Sequence, residues 1–515
     1  MNKIGFQNFR RFDNFQPIEY KDVTFLVGRN NSGKSTLVKA LLLIIDYLKS
    51  EDVRIFSFSK TNIEDVNIVT YGRAKCKNRP DDNFIEFELQ FDDLKIDITV
   101  TGKEDSTNID VRSYRISDLS SGLIFSLDPV NSTISISSIS QIAENKPSES
   151  EFLLIQLIEK ESDLKNQIKI IEDKLSEDYI HANNELKNLK QKIKTIRASN
   201  RKNIINKDNF LLDTHYRNVV LKDILEEAIG EFSSEYEMQY HDIQKGKKPK
   251  KSFENLKAFK DNKFKIETTV SELIKKINQT TTVYLGATLN KQSALFAIRD
   301  KSNGLAQVIH EYKQLGIDKE PASDAFVFVK NWISEAGFEI GESFEIKMHA
   351  GEAYEVVVKS NGIEIPLADK GMGSIQAMLL ILRLATLIHK KQKDKKNYTI
   401  IIEEPELNLH PALQSKLADL FLYVNSKYGI KLIIETHSEY IIRRSQVLVA
   451  EKELEIPPNQ NPFCVYYFPK GLNNLPYDMG YQSDGIFKKN FEEGFFDEAS
   501  SSTLELLRLK RQKQA

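Results

Sequence analysis

Cysteine is nearly absent from this chain: Cys76 and Cys464 are the only two among 515 residues, and neither has a C-x-x-C partner. That excludes a cysteine-built zinc cluster and a disulfide-stapled fold. Long apolar runs are scarce too. The densest stretch, Ala40 to Ile45, falls far short of the ~18 residues that a bilayer span needs. The opening MNKIGFQNFRRFDNF has no apolar signal core with a small-residue cleavage site. From these absences we expect a cytoplasmic chain with no membrane partner. Charge of one sign is also lacking, since 72 Lys and Arg face 74 Asp and Glu for a net charge of −2. A polybasic nucleic-acid coat is excluded, although a local basic face is not.

The chain is long enough to bury a large core, and length alone favours about three domains. Its texture changes twice. Residues 1–149 alternate short β-like runs with turns: Val23 to Val27, Phe84 to Phe91, Ile96 to Val100 and Gly122 to Leu127. Residues 150–280 are rich in Lys, Glu and Asn and helical in period, and from 281 to 515 mixed strand and helix signals return, ending in a basic tail. In the middle region, Leu164, Ile168, Ile171 and Leu175 form one a/d seam, and Leu186, Leu189, Ile193 and Ile196 form another. The seams fall out of phase across Asp178 to Asn184, where a stutter or a hairpin turn must lie. They fit a solvated helical pair packed on its own body, or a protruding coiled-coil arm that meets a partner.

Residues 24–40 read TFLVGRNNSGKSTLVKA, a short apolar strand and an apolar helix joined by G-x-x-x-x-G-K-S. Gly28 and Gly33 allow the loop, with Asn30, Asn31, Ser32 and, before the helix, Thr36, to turn its N–H groups inward around phosphates, and the N-terminus of the helix Leu37 to Leu48 faces them. Lys34 supplies charge to the β- and γ-phosphates, and the Ser35 hydroxyl is suited to Mg2+. The expected cofactors are therefore ATP and Mg2+.

Residues 399–411 read TIIIEEPELNLHP, an apolar strand running into Glu403 and Glu404. Two acids on such a strand need a charge partner, and a nucleotide-bound metal is one. Glu403 is assigned to the metal and Glu404 to polarising the attacking water. A second apolar strand, KLII, ends at Glu435-Thr436-His437-Ser438. His437 sits where α/β sheets place ligands and is assigned a hydrogen bond to the γ-phosphate. Gly371, Gly373 and Ser374 open the apolar helix that follows LADKGMGSIQ, a second terminus suited to an anion.

In this order, the segments resemble the ATPase heads of the ABC type, in the branch of SMC, RecF and OLD-like AAA proteins. Gly28 to Ser35 resembles Walker A, and Thr399 to Glu404 resembles Walker B with the catalytic glutamate. Asn408-Leu409-His410 resembles the D-loop, His437 the switch histidine, and Gly371 to Gln376 the shortened signature of the OLD-like branch. Asn8 to Phe12 resembles that branch's first turn, and Gly494 to Glu498 a C-terminal element of such ATPases. Glu403 stands where most of the family carry Asp, and no glutamine loop is identifiable.

The fold this implies is α/β: a P-loop NTPase head with a mixed β-sheet flanked by helices, split by the inserted helical or coiled-coil arm at 150–280. The resemblance further implies a head-to-head homodimer or larger assembly. In it, Gly373 and Ser374 of one chain meet the γ-phosphate held by the other. Only 78 residues follow His437, without a D-x-D cluster, so we expect no fused Toprim nuclease. Stand-alone ATPases of this kind resemble the sensor subunits of bacterial antiphage systems such as the Septu and PARIS groups. The expected partner is then a separately encoded effector, for which a nuclease is one candidate. The other expectation is a RecF- or SMC-like DNA-maintenance clamp, binding DNA through Lys245 to Lys251 and Lys390 to Lys396.

Overall fold

A computed structural model describes residues 2–58, 68, 70–79, 82–138, 187–188, 192, 210–287, 295–300, 303–453, 461–471, 474–497 and 502–506. The chain folds as two compact units. One comprises residues 1–92, 96–113 and 272–515, and the other residues 93–95 and 114–271. Both seams between Leu164 and Ile196 lie outside the described residues, as do Glu498 and the basic tail.

The larger unit is organised by a sheet in the order Thr280–Leu285, Asn397–Glu403, Lys431–Thr436, Val23–Gly28, Phe463–Phe468 and Tyr477–Asp478. The first five strands run parallel. A parallel sheet is covered on both faces, which is why these strands read as continuous apolar runs rather than alternating ones. Every residue of Val23–Gly28 and of Phe463–Phe468 is buried. The helices Lys34–Leu48, Met372–Asp394, Pro411–Tyr428 and Glu439–Glu453 follow or flank these strands. Local signals set their ends. Pro411 occupies the first turn of its helix, and Gly429 (φ 62°) terminates it in the left-handed region.

Met372–Asp394 is the core helix, burying Ile375 and, without a break, Gln376 to Leu382. Among the described residues it is the one helix long and apolar enough to cross a membrane, a stronger candidate than the Ala40–Ile45 run, yet 78% of its apolar window is buried inside the protein. Two lysines of its Lys390–Lys396 end make structural contacts: Lys390 pairs with Glu311, and Lys391 Nζ donates to the Gly429 carbonyl at 2.9 Å.

A second, antiparallel layer includes Asn2–Phe9, paired on one side with Phe12–Tyr20 and on the other with Ile85–Phe91. Phe6, Phe9, Phe12, Phe15 and Phe87 form an aromatic cluster with centroids 4.4–5.8 Å apart. The Lys34–Leu48 helix lies against the Asn2–Phe9 strand.

The smaller unit contains Leu123–Asp128, Thr133–Ser138 and Phe210–His215 in antiparallel register. Phe210–His215 departs from the purely helical expectation for 150–280, because its alternating burial lets it extend the sheet beside Thr133–Ser138. The helix Leu221–Gln244 folds back on Phe253–Gln279. Phe259 packs edge-on against Phe232 and Phe210, and Lys260 Nζ lies 2.9 Å from Glu237. The turn between these helices carries the exposed Lys245–Lys251 run.

Candidate functional site

The loop between Val23–Gly28 and the Lys34–Leu48 helix holds Gly28, Asn30, Asn31, Ser32, Gly33, Lys34, Ser35 and Thr36 together. Gly33 has φ 109°, and a Cβ there would lie 2.5 Å from the Phe12 ring. Glycine is thus demanded twice, by backbone geometry and by the aromatic floor that Phe12 provides. The helix starts without a side-chain cap and without an acid in its first turn. Its dipole and unpaired N–H groups are therefore left for an anion. The Ser32 hydroxyl is buried and has no hydrogen-bond partner among the described residues, as expected of a group that meets a phosphate oxygen. Lys34 is 3% exposed and donates to the carbonyls of Gly28 (2.9 Å) and Arg29 (3.1 Å).

Sheet register assembles the carboxylates. Lys431–Thr436 lies between the phosphate-loop strand and the acid strand, pairing Glu435 with Leu26 on one side and with Glu403 on the other. The Ser35 hydroxyl lies 3.0 Å from both oxygens of Glu435, and Lys34 Nζ lies 3.7 Å from Oε1. Burial pushes the Glu435 carboxyl up to about 7 against the pull of Lys34, and the nearby Glu403 and Glu404 push it further. Burial also lowers the Lys34 ammonium, which Glu435 and Glu404 partly restore.

Glu404 occupies the left-handed region (φ 46°), and its N–H donates to the Glu435 carbonyl at 2.8 Å. A non-glycine residue held there is strained, and such residues cluster at working sites. Its Oε1 lies 3.8 Å from His437 Nε2. Burial, with Lys34 nearby, pulls the His437 imidazole down to about 4, so it is neutral near pH 7 and able to donate one hydrogen bond without carrying charge. The backbone N–H of His437 donates to the buried Glu406 at 2.7 Å, which fixes where the histidine turn leaves the sheet.

Gly373 and Ser374 lie where the sequence places them, in the first turn of Met372–Asp394, a helix start also lacking a side-chain cap and a first-turn acid. Their neighbours are in the Asn408 turn and the preceding turn. A Cβ on Gly373 would sit 2.6 Å from the Asn408 carbonyl, and the Ser374 hydroxyl donates to the Lys370 carbonyl at 3.3 Å. The segments resembling the signature and the D-loop therefore touch within one chain.

Three contributors escaped sequence reading. Glu435 ends an apolar strand just as Glu403 does, so the same signal was present. Phe12 lay inside the Asn8 to Phe12 motif with nothing to say that it underlies Gly33, and Arg29 left no signal. Arg29 donates to the carbonyls of Gly494 (2.9 Å) and Glu493 (3.4 Å), tying the loop to the C-terminal segment. The chemistry of the donor set fits Mg2+: Ser35, Glu403 and Glu435 offer hard oxygens, and Lys34 is placed for phosphate.

The model of the AAA ATPase domain family matches residues 1–442. Similar solved structures include the Smc head domain with an extended coiled coil bound to the C-terminal domain of ScpA, from Pyrococcus furiosus. It has 11% identity and a TM-score of 0.37, over 99% of this chain and 100% of that one. The Smc head domain with a coiled coil and joint from Pyrococcus yayanosii has 10% identity and a TM-score of 0.35, over 94% of this chain and 98% of that one. The SmcHead bound to the C-winged helix domain of ScpA has 9% identity and a TM-score of 0.34, over 93% and 97%. No curated protein matches. With the family model covering most of the chain and the phosphate loop inside that match, this protein belongs to the AAA ATPase domain family.

Proposed function

We propose that this chain is an Mg2+-dependent ATPase that pairs head-to-head around ATP and controls a separately encoded effector in a bacterial antiphage system. One observation carries the chemical part. At the carboxyl edge of the parallel strands, Ser35 and Lys34 of the loop contact Glu435, which stands in register with Glu403, and Glu404 lies 3.8 Å from His437. Lys34 and the loop N–H groups bind and orient the β- and γ-phosphates. Ser35 and Glu403 would hold Mg2+, which supplies neutralisation of phosphate charge when bound. Glu404 orients and polarises a water, and His437 donates to the γ-phosphate. Gly373 and Ser374 serve the nucleotide of the second chain. The defence role rests on the resemblance of the motif set to the sensor ATPases of such systems.

The test is sedimentation of Glu404→Gln, which keeps the side-chain shape while removing the charge. ATP with Mg2+ should convert it to a stable dimer or larger assembly, and an unchanged sedimentation coefficient would overturn the pairing. Co-purification of the neighbouring gene's product checks the effector.

The DNA-clamp alternative has one structural observation in its favour. Lys248, Lys250 and Lys251 are exposed in the turn that joins two helices. The Lys390–Lys396 run is partly committed to helix-end contacts instead. Reversing the charge of those three turn lysines would lower the salt slope of duplex binding by about 0.9 for each phosphate they no longer neutralise.

A further inference from the structure

We infer that Glu435 is a third carboxylate of the nucleotide site, a positioning residue that makes ATP entry depend on the divalent cation. The inference rests on ATP being the ligand, and deepens that assignment by naming which residue couples metal to nucleotide. The Ser35 hydroxyl and the Lys34 ammonium are the two side chains that a phosphate loop offers to metal and phosphates. Both are held by Glu435, at 3.0 Å and 3.7 Å. Its position is imposed by three paired strands, since Glu435 stands in register with Leu26 on one side and Glu403 on the other. It is 6% exposed and lies on the strand end from which the Glu404 backbone also hangs.

This arrangement has a consequence for ligand choice. Polyphosphate arriving without a cation would bring negative charge beside a buried carboxylate already accompanied by Glu403 and Glu404. It would also have to draw Lys34 and Ser35 away from Glu435. A cation beside Ser35 and Glu435 offsets that negative charge, so the same carboxylate that repels bare ATP favours the metal-bound form. An amide of the same shape would still accept from Ser35 but would neither repel bare phosphate nor attract the cation.

The experiment uses the full chain and mant-ATP, titrated in EDTA and in excess Mg2+, with wild type, Glu435→Gln and Glu435→Asp. Wild type should bind at least about tenfold more tightly with Mg2+. In Glu435→Gln, affinity in EDTA should rise and the gain from Mg2+ should shrink by about tenfold. Glu435→Asp, which keeps the charge, should retain most of the gain and also tests the idea if the amide variant does not fold. A Mg2+ gain in Glu435→Gln equal to wild type overturns the inference while leaving ATP binding intact. Absence of mant-ATP binding by folded wild type overturns the ATP assignment and this inference with it.

Discussion

Glu404 offers a test that separates backbone strain from chemistry in one pair of variants. Its φ of 46° puts an L-residue in the left-handed region, tied there by its N–H bond to the Glu435 carbonyl. That region costs an L-residue about 1–2 kcal/mol and glycine almost nothing. Glycine's extra freedom in the unfolded chain costs about 0.5–1 kcal/mol. Glu404→Gly should therefore be more stable than Glu404→Ala by about 0.5–1 kcal/mol, the reverse of the usual order of these residues. The side chain is about a third exposed, so the two truncations lose similar packing. For a unit of about 350 residues, an unfolding entropy of about 2.1 cal/mol/K per residue converts this to roughly 1 °C. Scanning calorimetry of both variants at equal concentration resolves that difference. Both should also lose hydrolysis by about 10²–10⁴-fold, measured in single turnover, because neither can polarise water. Alanine equal to or more stable than glycine would refute the strain, and hydrolysis surviving in either variant would refute the role assigned to the carboxylate.

Three further outcomes are expected. Gly33→Ala places a Cβ 2.5 Å from the Phe12 ring at φ 109°. It should cost about 1–3 kcal/mol in denaturant unfolding and abolish mant-ATP binding. Gly373→Ala places a Cβ 2.6 Å from the Asn408 carbonyl; under the proposed head-to-head pairing, sedimentation should show loss of ATP-driven assembly while each chain still binds mant-ATP. Stability against pH should carry two opposed slopes. Glu435, raised from 4.5 to about 7, contributes stability that is full below pH 4.5 and lost as pH rises to 7. His437, lowered from 6.5 to about 4, contributes stability that is full above pH 6.5 and lost as pH falls to 4. Denaturant midpoints at about pH 5 and pH 7 should rise with pH more steeply in Glu435→Gln than in wild type, and fall relative to wild type in His437→Gln. Parallel profiles for all three proteins would contradict both assignments.

Much of the fold was legible because its signals are local. A strand buried on both faces reads as an apolar run, so Val23–Gly28, Asn397–Glu403 and Lys431–Thr436 announced themselves, as did the helix after the first of them. Boundaries moved by one to three residues, as when the phosphate-loop helix began at Lys34 rather than Leu37. Phe210–His215 was hidden by the Lys- and Asn-rich composition around it, and its pairing with Thr133–Ser138 reaches back more than 70 positions, from Phe210 to Ser138 and from His215 to Thr133. The lysine runs looked alike in sequence and separated in structure, one into an exposed turn and the other onto the end of the core helix.

The sequence by itself determined that a G-x-x-x-x-G-K-S loop joins an apolar strand to an apolar helix, that acids and a histidine terminate apolar strands, and that glycines open the helix at Met372. These are properties of short segments, governed by glycine, helix dipoles and strand burial. Only the tertiary structure decided which acid meets the loop. Ser35 and Glu435 are 400 residues apart and meet because Lys431–Thr436 pairs directly with Val23–Gly28, placing the acid strand one position further out. The same holds for Phe12 beneath Gly33, Asn408 against Gly373, and the left-handed turn at Glu404. Strand order and register are set by the packing of the whole sheet, and no window of neighbouring residues contains that information.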